Sequence, residues 1–188
     1  MSLLRQEIDE QPAVLQRLLD EQQEQVDKIA KVIQEFDPAF ISIAARGTSD
    51  NAARYAKYVF GKGCGLATTL AAPSLHTIYE SPPNLSKALV IGISQSGQAE
   101  DVRTVLENAR NQGACTLAIT NFDDSPMAQT AEYHLSLLAG EELSIAATKT
   151  YTAQLMNIAM LAASMIGKTE LKDELKKIPK QAQQTLDL

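Results

Sequence analysis

The chain has 188 residues, 45% hydrophobic and 21% charged, with 23 Asp and Glu against 17 Lys and Arg for a formal net charge of −6. That is the size and make-up of one globular domain with room for a substantial core. The acidic balance argues against nucleic acid as the main partner, which requires a basic face that releases counterions, so any anion must be held locally.

The opening Met1 to Glu7 lacks the apolar core of a signal peptide and soon turns acidic and Gln-rich, so a cytoplasmic location is expected. Between residues 13 and 36, Val14, Leu15, Leu18, Val26, Ile29, Val32, Ile33 and Phe36 recur at three- and four-residue spacing. This predicts one amphipathic helix starting near Pro12 and ended by Asp37-Pro38. Phe40 to Ala45 is a short apolar strand. Asp50 to Phe60 returns to helical spacing, with Gly61-Lys62-Gly63 read as its stop. Leu66 to Leu70 is a second strand, and a brief helix follows Pro73-Ser74. Ala88 to Ile93 is wholly apolar and reads as a strand buried on both faces. Glu100 to Gln112 is a helix ended by Gly113, and Thr116 to Thr120 is a fourth strand. Ser125-Pro126 opens a short helix, and Tyr133 to Leu138 is a fifth strand.

The stretch from Tyr151 to Ile166 is nearly continuous apolar sequence, broken by Gln154, Asn157 and Ser164. It is shorter than the roughly 20 residues of a membrane span and is bracketed by Lys149 and Lys168. A buried helix, capped by Thr148, is therefore predicted, and its breadth of apolar surface predicts a partner contact. Glu170 to Leu188 reads as one further amphipathic helix.

Short apolar strands alternating with helices predict an α/β fold: a three-layer αβα arrangement around a five-stranded parallel sheet in the order 2-1-3-4-5. Residues 1–36 form an N-terminal helical arm, 37–167 the domain proper, and 168–188 a linker-like helix. In that order strands 1 and 3 flank the point where the connections change direction, and ligands bind outside their carboxyl ends.

Two hydroxyl-rich turns fall at that point: Gly47-Thr48-Ser49 after strand 1, and Ser94-Gln95-Ser96-Gly97 after strand 3. Each leads into a helix whose free N–H groups and positive dipole end suit a phosphate. Taken alone, either is equally an ordinary helix cap. Their shared position favours a ligand. The segment Gly140 to Lys149 reads either as a surface connection or as a lid on the crevice. In the second case Glu141 or Glu142 lies near a sugar hydroxyl and the main chain around Ile145 touches ligand. Glu142 is the weak candidate for a catalytic base, a role that needs burial to raise its pKa.

Cys64 and Cys115 show no zinc-ligand spacing, so no metal is expected and both read as thiols in a reducing compartment. No Walker A or dinucleotide fingerprint is present, and no cofactor is expected. Gly92-Ile93-Ser94-Gln95-Ser96 approaches a nucleophile elbow but ends in Ser, and His134 sits inside a strand, which disfavours a hydrolase. His76, at a helix start, reads as structural ahead of catalytic.

The segments A-R-G-T-S-D at 45–50, A-A-P-S at 71–74, I-S-Q-S-G at 93–97 and A-A-T-K-T-Y at 146–151 resemble the sugar isomerase (SIS) domain family, in the family's order. The opening R-Q-E-I-D-E-Q-P at 5–12 is similar to the entry of the isomerase half of glucosamine-6-phosphate synthase and of stand-alone two-SIS deaminases. The resemblance implies that Thr48, Ser49, Ser94, Gln95 and Ser96 hold the phosphate of a hexose phosphate and neighbouring sugar atoms. Ala99 stands where related synthases commonly carry a Thr, which removes one phosphate donor or passes its role to Gln98. It also implies an aldose-ketose isomerase or deaminase acting on glucosamine 6-phosphate or fructose 6-phosphate, whose acid and base lie in a second SIS half. The expected partner is therefore a second SIS domain or another copy in a homodimer, through residues 151–166. The alternative is a non-catalytic phosphosugar sensor; the acidic, Gln-rich residues 1–36 are unlike the DNA-binding segment of a regulator.

Overall fold

The computed structural model describes residues 2–188. Five parallel strands, β1 (Phe40–Ala45), β2 (Thr68–Leu70), β3 (Ala88–Ile93), β4 (Cys115–Thr120) and β5 (Tyr133–Ser136), form one sheet in the order β2-β1-β3-β4-β5. Strands β3 and β4 are buried along their whole length, as all-apolar strands between two helical layers must be. The register pairs Ala44 with Gly92 and Ala45 with Ile93, so the turns after β1 and β3 emerge side by side.

The two faces carry separate cores. One packs Ile41, Ile43, Leu89 and Ile91 beneath four helices: α2 (Gln11–Glu21), α3 (Gln23–Phe36), α4 (Thr48–Cys64) and α8 (Lys149–Ile166). The other packs Val90 and Ala118 against α6 (Glu100–Asn111) and Met127 of α7 (Pro126–Thr130). Between β2 and β3 lies the single turn α5 (Ser74–Thr77). Helix α1 (Leu3–Asp9) precedes α2, and α9 (Thr169–Leu175) and α10 (Ile178–Leu186) close the chain.

The structure corrects several sequence expectations. The helix expected over 13–36 is two helices broken at Gln22, with α1 added before them. The Gln22 side chain donates to Ser136 O at 2.8 Å and accepts from Ser136 N at 3.0 Å. It thus occupies the open edge of β5 as a neighbouring strand would. Helix α4 begins at Thr48 and runs through Gly61-Lys62-Gly63 to Cys64. Gly63 lets α8 approach, because a Cβ there would lie 2.7 Å from Ile166 Cδ1, and Gly65, at φ +70°, is the true stop. The helix expected over 170–188 is likewise two, since Pro179 has no N–H to continue the ladder from α9. Strands β2 and β5 are shorter than expected, Leu138 at φ +49° having left the extended region.

Residues 151–166, expected to meet a partner, find most of their cover within the chain itself. Most of α8 is buried, and α2, α3 and α4 of the same chain enclose it. The N-terminal arm supplies the cover that the apolar sequence demands. No described helix is long and apolar enough to cross a membrane.

Candidate functional site

The turns after β1 and β3 line one crevice of about 220 Å³ at the carboxyl end of the sheet. Of the residues expected there, Thr48, Ser49, Ser94, Gln95, Ser96 and Ile145 line it. Gly47 and Gly97 do not; they shape the turns. Gly47 takes φ +56° at the start of α4, where no side chain caps the helix. Gly97 takes φ +67°, and a Cβ added to it would lie 2.2 Å from Ser125 Oγ. The second turn therefore passes hard against β4 and α7, and only glycine fits.

The turn after β3 is held by its own hydroxyls. Ser94 Oγ accepts from Gly97 N at 3.1 Å, and Ser96 Oγ accepts from Gln98 N at 3.3 Å. Gln95 O accepts from Asn121 N at 3.0 Å, tying the turn to the end of β4. Helix α6 opens at Ala99 with no side-chain cap and keeps free backbone donors, whereas in α4 Ser49 N and Asp50 N already donate to Arg46 O and Gly47 O at 3.1 Å, leaving Thr48 N. A hydroxyl accepting from an N–H still has its own proton to donate, so this turn combines rigidity with donor capacity.

Three lining residues were not singled out from sequence: Arg46, Ala147 and Gln154. Arg46 Nη1 lies 3.5 Å from Asp101 Oδ1, in the first turn of α6, and its side chain is 69% exposed. It is the one cation of the lining. Gln154 is 2% exposed and donates to Ser49 Oγ at 3.0 Å. The available signal was its position: Gln154 and Asn157 interrupt an otherwise apolar helix. Asn157 proves structural, bonding Gln22 and Ser136, whereas Gln154 reaches the crevice.

The segment 140–148 borders the crevice through Ile145, whose side chain is fully exposed, and Ala147. Three carboxylates fix it. Glu142 accepts from Thr148 N at 2.9 Å and Thr150 N at 3.2 Å, and from both threonine hydroxyls. It thereby caps α8, a role expected of Thr148, whose own side chain makes no capping bond. Neither Glu142 nor Glu141 lines the crevice. Glu7 of α1 accepts from Leu143 N, Ser144 N and the Ser144 hydroxyl. The Ser144 hydroxyl bond holds the Glu7 carboxyl below its ordinary range, helped by the two backbone donors and opposed by burial. Glu10 pairs with Lys149 Nζ at 2.6 Å. Lys149 is 4% exposed.

The remaining ionisable candidates lie elsewhere. His76 is buried beside Asn108 Nδ2 at 3.2 Å, and burial lowers its pKa. His134 meets Thr120 Oγ1 at 2.8 Å, and burial lowers its pKa too. Cys115 is a buried thiol pushed up to about 11 by desolvation, and Cys64 is half-buried. The crevice itself offers hydroxyls, amides, backbone N–H groups and one guanidinium. It can grip a dianion and orient what is attached, but no lining residue is a carboxylate, histidine or lysine that would move a proton at carbon.

Residues 36–164 match the family model of the SIS domain. The chain is 37% identical over 171 residues to the isomerizing glutamine–fructose-6-phosphate aminotransferase of Shouchella clausii, covering 87% of this chain and 28% of the relative. It superposes with TM-score 0.94 and 34% identity on a candidate phosphosugar isomerase from Silicibacter pomeroyi, covering 97% of this chain and 56% of that one. A candidate sugar binding protein from Salmonella typhimurium gives TM-score 0.79 and 25% identity, with 96% and 56% covered. The chain thus spans just over a quarter of the curated relative and little more than half of either solved chain.

Proposed function

This chain belongs to the SIS domain family, and from that premise we propose that its crevice binds a hexose phosphate as one half of an amino-sugar phosphate isomerase or deaminase. The observation that carries the reading is the convergence of Thr48, Ser49, Ser94, Gln95 and Ser96 on one crevice where two helices begin without side-chain caps. The phosphate accepts from these hydroxyls and from the free N–H groups, and Arg46 supplies the one formal positive charge. Ala99 offers no hydroxyl to the phosphate, which increases the share that falls to Arg46. The sugar extends beneath Ile145 and Ala147, on the segment that Glu142 positions.

Isomerisation opens the ring and carries a proton between C1 and C2 through an enediol or enolamine, with ammonia lost or gained in amino-sugar chemistry. That step needs an acid and a base, which the crevice lining lacks. They come from a second half, whether further along the same polypeptide, on a separate chain or on another copy. The contribution of this chain is binding energy that orients the reacting carbons.

Calorimetry and turnover assays with glucosamine 6-phosphate and fructose 6-phosphate test this. Binding without turnover is expected of the chain alone, and Ser96→Ala weakens it by about 1–2 kcal/mol, the scale of a lost hydrogen bond to a charged group. Absence of binding to both sugars counts against the assigned site. The same base-free lining also fits a non-catalytic phosphosugar sensor. Supplying a second SIS half separates the two readings: turnover then appears in the first and not in the second.

A further inference from the structure

Gln154 is buried at the back of the crevice with half of its hydrogen-bonding capacity unused. Its Nε2 meets Ser49 Oγ at 3.0 Å, while its Oε1 is buried and has no partner among the described residues. With Nε2 toward Ser49, the amide leaves the Ser49 proton free for the phosphate and turns its carbonyl end to the unfilled place. Buried amides are normally satisfied, so an orphaned end in a ligand-sized crevice marks a place where a ligand group completes the set. A phosphate oxygen is a poor match for a free carbonyl, because both only accept. A hydroxyl matches either end, being donor and acceptor together.

We propose that Gln154 is a specificity-determining residue: its free end binds a hydroxyl of the sugar, while its other end fixes the Ser49 hydroxyl toward the phosphate. The inference rests on the phosphosugar reading of the crevice and adds what distinguishes the sugar ester from the bare anion. Inorganic phosphate meets the turns but leaves the amide unsatisfied. A hexose phosphate satisfies both.

The test is Gln154→Met, which keeps length and removes both polar atoms, titrated by calorimetry with fructose 6-phosphate and with inorganic phosphate. The ratio of the two affinities is expected to fall about tenfold relative to the unmodified chain, the scale of one neutral hydrogen bond. Ser49→Ala, by contrast, is expected to weaken both ligands by similar factors. The ligand-free variant is expected to melt no lower than the parent, because the substitution removes an unsatisfied carbonyl together with one bond. Equal weakening of both ligands by Gln154→Met overturns the inference while leaving the crevice reading intact. Absence of hexose phosphate binding in the unmodified chain overturns both. Should Gln154→Met fail to fold, Gln154→Asn withdraws the same amide by one methylene and is held to the same change in ratio.

Discussion

The crevice has two walls built on different principles. The turn Ser94 to Gly97 is fixed from within: Ser94 and Ser96 bond their own backbone, and Gly97 lies against Ser125 with no room for a Cβ. The segment Gly140 to Thr148 is fixed by carboxylates: its own Glu142 bonds Thr148 and Thr150, Glu7 of α1 bonds Leu143 and Ser144, and Glu10 pairs with Lys149 just beyond it. One wall depends on steric fit and sequence neighbours, the other on carboxylates that include partners over 130 residues away. Steric anchoring fails abruptly when violated; charged anchoring yields by degrees and with pH.

The largest expected effect therefore falls on the internal wall. Gly97→Ala places a methyl 2.4 Å from Ser125 Cβ in a left-handed backbone conformation. Strain and overpacking together cost about 2–4 kcal/mol, read as a drop in the urea midpoint with an unchanged slope. A loss below about 1 kcal/mol in the same measurement means that the turn can retreat from β4, and the contrast between the walls dissolves.

On the outer wall, Glu10→Gln leaves the Lys149 ammonium buried without its counter-charge. Breaking a buried pair costs about 3–5 kcal/mol, but the 39% exposure of Glu10 screens this one, so about 1–2 kcal/mol is expected. Lys149→Met, which removes the charge itself, is expected to cost less. If the two variants lose equal stability by chemical unfolding, packing of the lysine stem rather than charge holds this corner. Glu142→Ala removes the cap of α8 and should cost about 1 kcal/mol, while weakening hexose phosphate binding through the loosened main chain at Ile145. Unchanged affinity with reduced stability confines Glu142 to the helix end.

The same division explains what sequence alone revealed. The sheet order and both hydroxyl-rich turns were legible because apolar runs, Gly and Ser act within a few residues of themselves. Arg46 was visible as a letter in the first turn, yet its orientation toward the crevice depends on Asp101, half a domain away. Gln154 was visible as a polar break in α8, indistinguishable there from Asn157, which turned out to be structural. The kink at Gln22 left no trace because helical spacing continues across a single bend, and the cover of α8 by the arm is a tertiary fact that periodicity does not encode. Glu7 and Glu10 stand in the opening segment 5–12, but nothing local tells which distant groups they bond.

Glu7 provides the finest discrimination between the two kinds of wall. Its carboxyl sits below its ordinary pKa of 4.5 because the Ser144 hydroxyl and the Leu143 and Ser144 amides donate to the ionised form. A carboxyl depressed in the fold stabilises the fold above its unfolded pKa, and that contribution fades as pH falls through the unfolded value toward the folded one. The sign is therefore fixed. Relative to Glu7→Gln, the unmodified chain should melt higher by a constant margin near neutrality, and the margin should shrink once pH drops below about 4.5. A margin that stays flat into acid would mean the contact is held by shape rather than by charge. Since Leu143 and Ser144 sit two residues and one residue from Ile145, acid should then loosen the outer border of the crevice while the Ser94 to Gly97 turn, which contains no titrating group, holds its form.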